Sequence, residues 1–524
     1  MIREASTRIH PQADAERYGV EWSDQVDDSW LDPALVQSVP VEWARRNLAL
    51  PVRRTNRLYL LLADPSAVHA QDDMAILLGQ RLTPLAAPME MVRQAIERCY
   101  YQGDHSAARF ADGLSPSPSE PVLLPVSRAS DLLELTDQAP VTQFINLVLL
   151  EAVKGGASDV HVEPFETRLR IRYRIDGILY EKASPPKTME LALVSRLKVM
   201  AHMDIAETRL PQDGMARVRV GDREIDIRVS TIPVAEGERV VLRLLNRDAA
   251  WMPLTSLGMD EGLCQQFKSA VRAPHGVVIV CGPTGSGKTT TLYAALDGMD
   301  AMRRNILTIE DPVEYQLPDI GQMQVKPKIG LTFAAGLRHL LRQDPDVILV
   351  GEIRDSETAE IAIRASLTGH LVLTTLHTQD APGAFVRLVD MGIERYLLAS
   401  SVRAVLAQRL VRCLCPACRH ESEPSDEWRR FRARYAGSMP VDRSVWNASG
   451  CDRCLEGYRG RTGIFELLLV DPAMQEYIRR ESITVAGVRD GSTSYRDMTL
   501  REDGLRKVSL GLTSPAELLA VLAG

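Results

Sequence analysis

The chain has 524 residues, 45% of them hydrophobic and 25% charged, which is typical of a soluble protein with roughly three or four domains. A net charge of -7 argues against a protein coated with nucleic acid. No apolar run approaches the ~18 residues that span a bilayer, and the first residues lack the apolar core of a signal peptide. The sequence therefore predicts a cytoplasmic protein whose contact with a membrane is peripheral.

Residues 1–108 are predicted to form a small N-terminal α/β domain, because strand-like and helix-compatible segments alternate there. Residues 109–135 are dense in proline, serine and glycine and lack an apolar period, so we interpret them as a linker. A domain held on such a tether suits docking better than catalysis. A plain structural appendage is the alternative.

Residues 136–247 are predicted to form a linking domain that starts with an amphipathic helix ending at Gly155-Gly156. The segment 168–175 alternates arginine with apolar residues, which indicates a strand with arginines on one face. Two further alternating runs meet at Gly221-Asp222 and are typical of a hairpin. A last strand is expected over 237–247. An ordinary solvated sheet face is the alternative explanation of the arginines.

Residues 248–411 are predicted to form the catalytic core, because an apolar strand at 277–280 leads into the pattern G-x-x-x-x-G-K-T. In such a phosphate-binding loop, backbone N–H groups and a lysine bind phosphates, a threonine hydroxyl ligates Mg²⁺, and the next helix directs its positive end at the anion. The sequence therefore predicts a site for ATP with Mg²⁺. Its residues are Gly282, Pro283, Thr284, Gly285, Ser286, Gly287, Lys288, Thr289 and Thr290.

Three more apolar strands, within 306–315, 346–355 and 371–380, each end in polar residues and alternate with helical stretches. This alternation predicts a parallel sheet, and parallel sheets bind ligands at the carboxyl ends of their strands. We therefore expect all four polar segments to form one site.

Glu352 is the candidate general base, because a carboxylate at a strand end can orient and polarise a water for attack on the γ-phosphate. The strand resembles the second nucleotide motif of P-loop ATPases, in which an aspartate usually stands where this chain has Gly351. Glu310 and Asp311 are therefore predicted to supply the carboxylates that face the metal. His377, at the end of the fourth strand, is expected to donate a hydrogen bond to the γ-phosphate. Sites for phosphoryl transfer usually also contain an arginine that a neighbouring subunit supplies.

Cys415, Cys418, Cys451 and Cys454 form two C-x-x-C pairs separated by 32 residues, a spacing that predicts a structural Zn²⁺ site with four thiolates. Cys413 departs from this array. We assign 412–466 to a zinc module and 467–524 to a C-terminal helical region. The arginines of 429–434 indicate either a solvated face or a surface for acidic phospholipid.

From about Thr136 to Gly524 the chain closely resembles the secretion ATPases of the type II system and their relatives that assemble type IV pili. The motifs that carry the resemblance are ASDVHVEP, ETRLPQDG, DIRVST, GERVVLRLL, GPTGSGKTTTLYAAL, LTIEDPVEY, LRQDPDVILVGEIRD, GHLVLTTLHT and the four cysteines. The resemblance implies an α/β fold with a RecA-like P-loop motor, a PAS-like α+β linking domain and an N-terminal docking domain. It also implies an ATP hydrolase that acts as a cytoplasmic homo-hexamer at the inner membrane.

In that family, arginines of the linking domain reach the neighbour's nucleotide, and Arg209, Arg228 and Arg243 match this role by resemblance. The family often has arginine after PQDG, whereas this chain has Met215, with Arg217 two positions later. Which of the nearby arginines reaches the neighbour's nucleotide is therefore open.

The tetracysteine and the long N-terminal region favour assembly over pilus retraction, and the short insert favours type II secretion over pilus extension, which is the alternative. Residues 1–108 lack the opening RLG and the paired repeat of the cyclic-dinucleotide-binding version. The expected partner of this domain is therefore a membrane-anchored secretion-system component. The resemblance also implies an inner-membrane platform protein as a partner. Two alternative functions are a nucleic-acid translocase and a scaffold that binds nucleotide without hydrolysing it. The acidic balance and the lack of an aromatic and basic strand-binding segment argue against nucleic acid.

Overall fold

The computed structural model divides the chain into two compact units, Met1–Leu245 and Asn246–Gly524. It describes residues 11–36, 39, 41–55, 57–101, 107, 130–131, 140–220, 223–246, 252–435, 444–480, 483–491 and 499–523. Among these residues, no helix is long and apolar enough to cross a bilayer. Most of the predicted linker, 109–135, lies outside the described residues.

The N-terminal part is an α/β unit, as predicted. Its four-stranded sheet has the order β1-β4-β3-β2, with β3 parallel to β4 and antiparallel to β2. Leu61 packs into one apolar cluster while Leu60 and Leu62 pack into another, so both faces of β3 are covered. The elements are α1 (Pro11–Tyr18), β1 (Glu21–Trp22), α2 (Pro33–Val36), α3 (Val41–Asn47), β2 (Ala49–Arg54), β3 (Arg57–Leu62), α4 (Val68–Leu78), β4 (Thr83–Ala86) and α5 (Met89–Tyr101).

The linking part is a seven-stranded sheet of order β5-β9-β10-β11-β6-β7-β8. Its elements are β5 (Ser130–Asp131), α6 (Pro140–Lys154), β6 (Ala157–Pro164), β7 (Leu169–Ile175), β8 (Ile178–Ala183), α7 (Glu190–Met200), β9 (Gln212–Val220), β10 (Arg223–Val234) and β11 (Gly237–Asn246). Strand β5 falls inside the predicted linker, where it pairs with β9.

The predicted alternation along β7 is present, since its residues are buried and half-buried in turn. The apolar face packs against α6 and α7 around Phe144, Val148 and Leu197. The predicted hairpin is also present as the antiparallel pair β9 and β10, although its turn, 221–222, is outside the described residues. Strand β11 ends one residue before the predicted 247.

The second unit is built on a seven-stranded sheet of order β14-β13-β15-β16-β12-β17-β20. The predicted parallel arrangement of β12, β13, β15 and β16 is confirmed. Val277 and Ile279 of β12 belong to one apolar core and Val278 and Val280 to another, so the strand is buried on both faces. The elements up to this point are α8 (Glu261–Val271), β12 (Gly276–Cys281), α9 (Lys288–Asp297), β13 (Ile306–Glu310), β14 (Gly321–Gln324), α10 (Phe333–Leu340), β15 (Val347–Val350), α11 (Ser356–Leu367), β16 (Leu371–Leu376), α12 (Ala381–Asp390) and α13 (Arg395–Ser401).

Three strands, β14, β17 and β20, extend this sheet beyond the four that the sequence predicted. Strand β17 (Val402–Leu414) is parallel to β12, and β20 (Tyr458–Leu469) is antiparallel to β17. The predicted boundary between 411 and 412 falls inside β17, and that between 466 and 467 falls inside β20. The cysteines change the composition near 413, but backbone pairing continues to Leu414 opposite Tyr458.

The cysteine-containing segment is therefore an insertion between two strands of the main sheet. It contains β18 (His420–Ser422), α14 (Asp426–Tyr435) and β19 (Val445–Asn447). The C-terminal helices are α15 (Pro472–Arg479), α16 (Val485–Gly491), α17 (Leu500–Ser509) and α18 (Pro515–Ala523). Arg412 of β17 forms a hydrogen-bonded ion pair with Glu517 of α18 at 2.7 Å, which holds this end of the strand against the C-terminal helices.

Candidate nucleotide and metal sites

The phosphate loop lies between the buried end of β12 and the first residue of α9. Gly285 and Gly287 have φ values of 78° and 84°, a region that favours glycine. Lys288 donates hydrogen bonds to the carbonyl oxygens of Gly282 and Pro283, both at 3.0 Å. Burial lowers the pKa of Lys288, and the negative charge of Glu352 opposes that shift. The loop thus folds around its lysine, with the N-terminus of α9 at its end.

The hydroxyls of this loop differ in their exposure. The Ser286 hydroxyl is buried and has no hydrogen-bond partner among the described residues. Thr289 and Thr290 lie half-buried in the first turn of α9. The N–H groups of a first helical turn and the hydroxyls of the half-buried threonines are suitable donors for phosphate oxygens.

Glu352 lies two residues beyond β15 and is 17% exposed. Its Oε2 atom is 3.4 Å from Nε2 of His377, which follows β16 and is exposed. Arg354 donates to the other oxygen of Glu352, and this hydrogen bond raises the pKa of Arg354. The structure thus brings Glu352, His377 and Lys288 into one neighbourhood, as expected, and adds Arg354. The sequence offered no signal for Arg354 beyond its place in the GEIRD segment.

Glu310 differs from its predicted setting, because both of its carboxylate oxygens are already hydrogen-bonded to side chains. Tyr293 of α9 donates to one oxygen, and Thr308 at 2.5 Å and Gln322 at 3.2 Å donate to the other. Glu310 is also buried, with 3% of its surface exposed. Its carboxylate therefore links β13 to α9 and β14 rather than extending toward a metal.

Asp311, the next residue, is exposed, and its charge contributes to the raised pKa of Arg354. Of the two acids predicted to face a metal, Asp311 is thus the one in an open position near Glu352. Sequence spacing could not separate the two, because two of the three partners of Glu310, Tyr293 and Gln322, come from other elements.

The three arginines matched by resemblance all lie in the first unit and differ in their surroundings. Arg209 is 85% exposed and donates to Glu207 at 2.9 Å, and these hydrogen bonds lower the pKa of Glu207 to about 2. Arg243 is 3.2 Å from Asp159. Arg228 is half-buried on β10 opposite Met215 and has no hydrogen bond or ion pair with any described residue. Of the three, Arg228 is therefore the one whose side chain has no polar partner among the described residues.

The four predicted cysteine ligands come together in one cluster, with all sulfur atoms within 4.8 Å of one another. The Cys415–Cys451 pair is 3.9 Å apart, and the Cys418–Cys454 and Cys451–Cys454 pairs are both 3.6 Å apart. A tetrahedral site with Zn–S bonds of ~2.3 Å requires sulfurs about 3.8 Å apart. The cluster therefore has the dimensions of a metal site. Cys413 is not part of it.

The chain is similar to several known proteins. The family model described as "Type II/IV secretion system protein" matches residues 134–520, and the MshEN domain model matches residues 24–106. The type II secretion system protein E of Pseudomonas aeruginosa is 51% identical over 84% of this chain and 88% of its own length. The type IV pilus assembly ATPase PilB of Myxococcus xanthus is 41% identical over 96% of this chain and 89% of its own.

Among solved structures, the Legionella pneumophila ATPase DotB aligns with a TM-score of 0.55 at 21% sequence identity. The alignment covers 76% of this chain and 99% of DotB. At this level of identity the likeness concerns the fold.

Replacing Glu310 by Gln is expected to destabilise the protein by about 1–3 kcal/mol, because an amide N–H₂ would face buried donors. Replacing the exposed Asp311 by Asn should change the free energy of unfolding by less than ~0.5 kcal/mol. Urea unfolding of the full chain measures both. Equal stability of the two variants would show that the hydrogen bonds to Glu310 do not support the fold.

Proposed function

The chain belongs to the type II/IV secretion system protein family and is an ATP hydrolase, and from this we propose that it works as a hexamer that drives pseudopilus assembly in type II secretion. The relative named for type II secretion is 51% identical, against 41% for the pilus-assembly relative, which favours secretion over pilus extension. The observation that best supports the catalytic part of this proposal is the position of Glu352. Its carboxylate lies beside His377, and its charge acts on Lys288.

Each residue at this edge has a separate role in the proposal. The loop 282–290 binds the phosphates of ATP, with Lys288 supplying the positive charge. Glu352 accepts a proton from the attacking water and holds that water in line with the γ-phosphate. His377 donates a hydrogen bond to the γ-phosphate from its position beside Glu352. Thr289 and Asp311 are the proposed Mg²⁺ ligands, because a hydroxyl and an open carboxylate are oxygen donors of the kind that Mg²⁺ prefers. When bound, Mg²⁺ would neutralise charge on the phosphates.

We assign Zn²⁺ to the tetracysteine cluster, because four thiolates at tetrahedral spacing match its preferred ligands. Four sulfur ligands leave no open position for water, so the role is structural. The site closes the insertion between β17 and β20.

The partners in this proposal follow from the family and from the domain organisation. The N-terminal domain, 1–108, would dock on a membrane-anchored secretion-system component, and the hexamer would act on an inner-membrane platform protein. The chain would then be cytoplasmic and peripheral to the inner membrane. Arg429, Arg430, Arg432 and Arg434 of α14 are candidates for contact with acidic phospholipid, and Arg429 already pairs with Asp426 on the same helix.

Two substitutions separate binding from catalysis. Lys288→Ala is expected to abolish binding of a fluorescent ATP analogue. Glu352→Gln should leave this binding within about twofold and reduce phosphate release by at least ~10²-fold, the usual contribution of a general base. Fluorescence titration and a phosphate-release assay measure the two effects. Near wild-type turnover by Glu352→Gln would remove Glu352 from the proposed role.

The purified chain is expected to contain about one zinc, and Cys454→Ser should release it and destabilise the insertion. Cys413→Ser is the matched control, because Cys413 lies outside the cluster. Elemental analysis of protein prepared without chelators provides the measurement. Protein without zinc, or equal metal loss in both variants, would contradict the assignment.

The proposal that arginines act between subunits predicts complementation. Arg228→Ala has an intact phosphate loop and Lys288→Ala has intact arginines, so each should be inactive alone while their mixture regains part of the turnover at mixed interfaces. Arg168→Ala, just before β7 and separated from β10 by two strands in the sheet order, is the control and should remain active alone. If the two variants co-assemble and no mixing ratio restores phosphate release, Arg228 does not act in this way.

A further inference from the structure

The phosphate loop is held by a buried side chain from β17, a strand to which no role in the site has been assigned. Gln408 is 2% exposed. Its Nε2 donates to the carbonyl oxygen of Ser286 at 2.5 Å, and its Oε1 accepts from the hydroxyl of Thr291 at 2.7 Å. One amide therefore joins the loop to the first turn of α9.

The pairing of β17 with β12 places Gln408 at the right height for these contacts. Cys281, the last residue of β12, pairs with Ala407, so Gln408 lies level with the start of the loop. At φ 151°, Gly282 approaches the backbone of β17 so closely that an added Cβ would lie 2.3 Å from the carbonyl oxygen of Gln408. A Cβ on Gly287 would lie 3.2 Å from Nε2 of Gln408. The loop is thus packed against this residue at both of its ends.

We propose that Gln408 is a positioning residue that holds the phosphate loop in its nucleotide-binding shape before the nucleotide arrives. A loop whose N–H groups must converge on phosphates loses affinity if it must first be ordered, so a fixed brace strengthens binding. Gln408 suits this task because its amide donates to the loop and accepts from the helix at the same time. It makes these contacts through Ser286 and Thr291.

Arg409, the next residue, contacts a different group. It donates to Gln379, two residues after His377, and to the carbonyl oxygen of Val521 in α18. Because neighbouring side chains on a strand point to opposite faces, changes at Gln408 leave this second set of contacts intact. The effect of Gln408 on the phosphate loop can therefore be measured separately.

The test compares Gln408→Met, which keeps the length of the side chain without its hydrogen bonds, with Thr291→Val and Thr291→Ser. Affinity for a fluorescent ADP analogue with Mg²⁺ is measured by titration, kcat and KM by phosphate release, and Tm without nucleotide. We expect Gln408→Met and Thr291→Val to weaken nucleotide affinity about tenfold and raise KM in parallel, with kcat within about twofold. Thr291→Ser retains the hydroxyl and should restore wild-type affinity.

Thr374→Val is the matched control, because the Thr374 hydroxyl of β16 is equally buried and has no hydrogen-bond partner among the described residues. It should leave nucleotide affinity unchanged. A merely structural role would lower the Tm of the Gln408 and Thr291 variants and leave the affinity of the folded protein intact. That result, or equal loss of affinity in Thr374→Val, would overturn the proposal. If Gln408→Met does not fold, the Thr291→Val and Thr291→Ser pair decides.

The inference rests on the proposed nucleotide site, and Lys288→Ala separates the two. Wild-type nucleotide affinity of Lys288→Ala would reject the loop as the nucleotide site and the role of Gln408 with it. Loss of binding in Lys288→Ala together with unchanged affinity in Gln408→Met and Thr291→Val would reject the role of Gln408 alone.

Discussion

The site depends on the hydrogen bonding of parallel strands, which brings the carboxyl ends of β12, β13, β15 and β16 to one edge of the sheet. Cys281 pairs with Leu376, Val350 with Thr374, and Ile309 with Val350. Strand β12 places alternate side chains into two different cores, so a shift of one residue in register would exchange the two sets and disrupt the packing of both. The same constraint that builds the core therefore also sets the positions of the phosphate loop, Glu352 and His377.

Strand β17 connects this edge to the rest of the second unit. Its Gln408 contacts the phosphate loop, its Arg412 pairs with Glu517 of α18, and Cys415 follows directly after it. The cysteine cluster and α18 thus both lie at the same end of a single strand pair, β17 and β20. Strand β17 thus connects the insertion to the nucleotide site through its own backbone and its pairing with β12.

The features that could be predicted from the sequence are those that depend on residues close to one another in the chain. The phosphate loop, the alternating arginines of β7, the β9–β10 hairpin and the two C-x-x-C pairs each depend on short spacing and were found as expected. The setting of Glu310 was not predictable, because Tyr293 and Gln322 reach it from other elements. Gln408 was missed for the same reason, since its partners lie more than 100 residues away in the sequence. If an arginine acts between subunits, as proposed, the choice among the three depends on a second chain, which no pattern within one chain encodes.

The most direct test of the account is hydrogen–deuterium exchange of the full chain with and without a non-hydrolysable ATP analogue and Mg²⁺. If the four strand ends form one nucleotide site, amide protection should increase together in residues 282–290, 310–311, 351–354 and 377–380 and remain unchanged in β18 and β19. Protection confined to the phosphate loop, or found elsewhere in the chain without it, would contradict the claim that these strand ends form a single catalytic site.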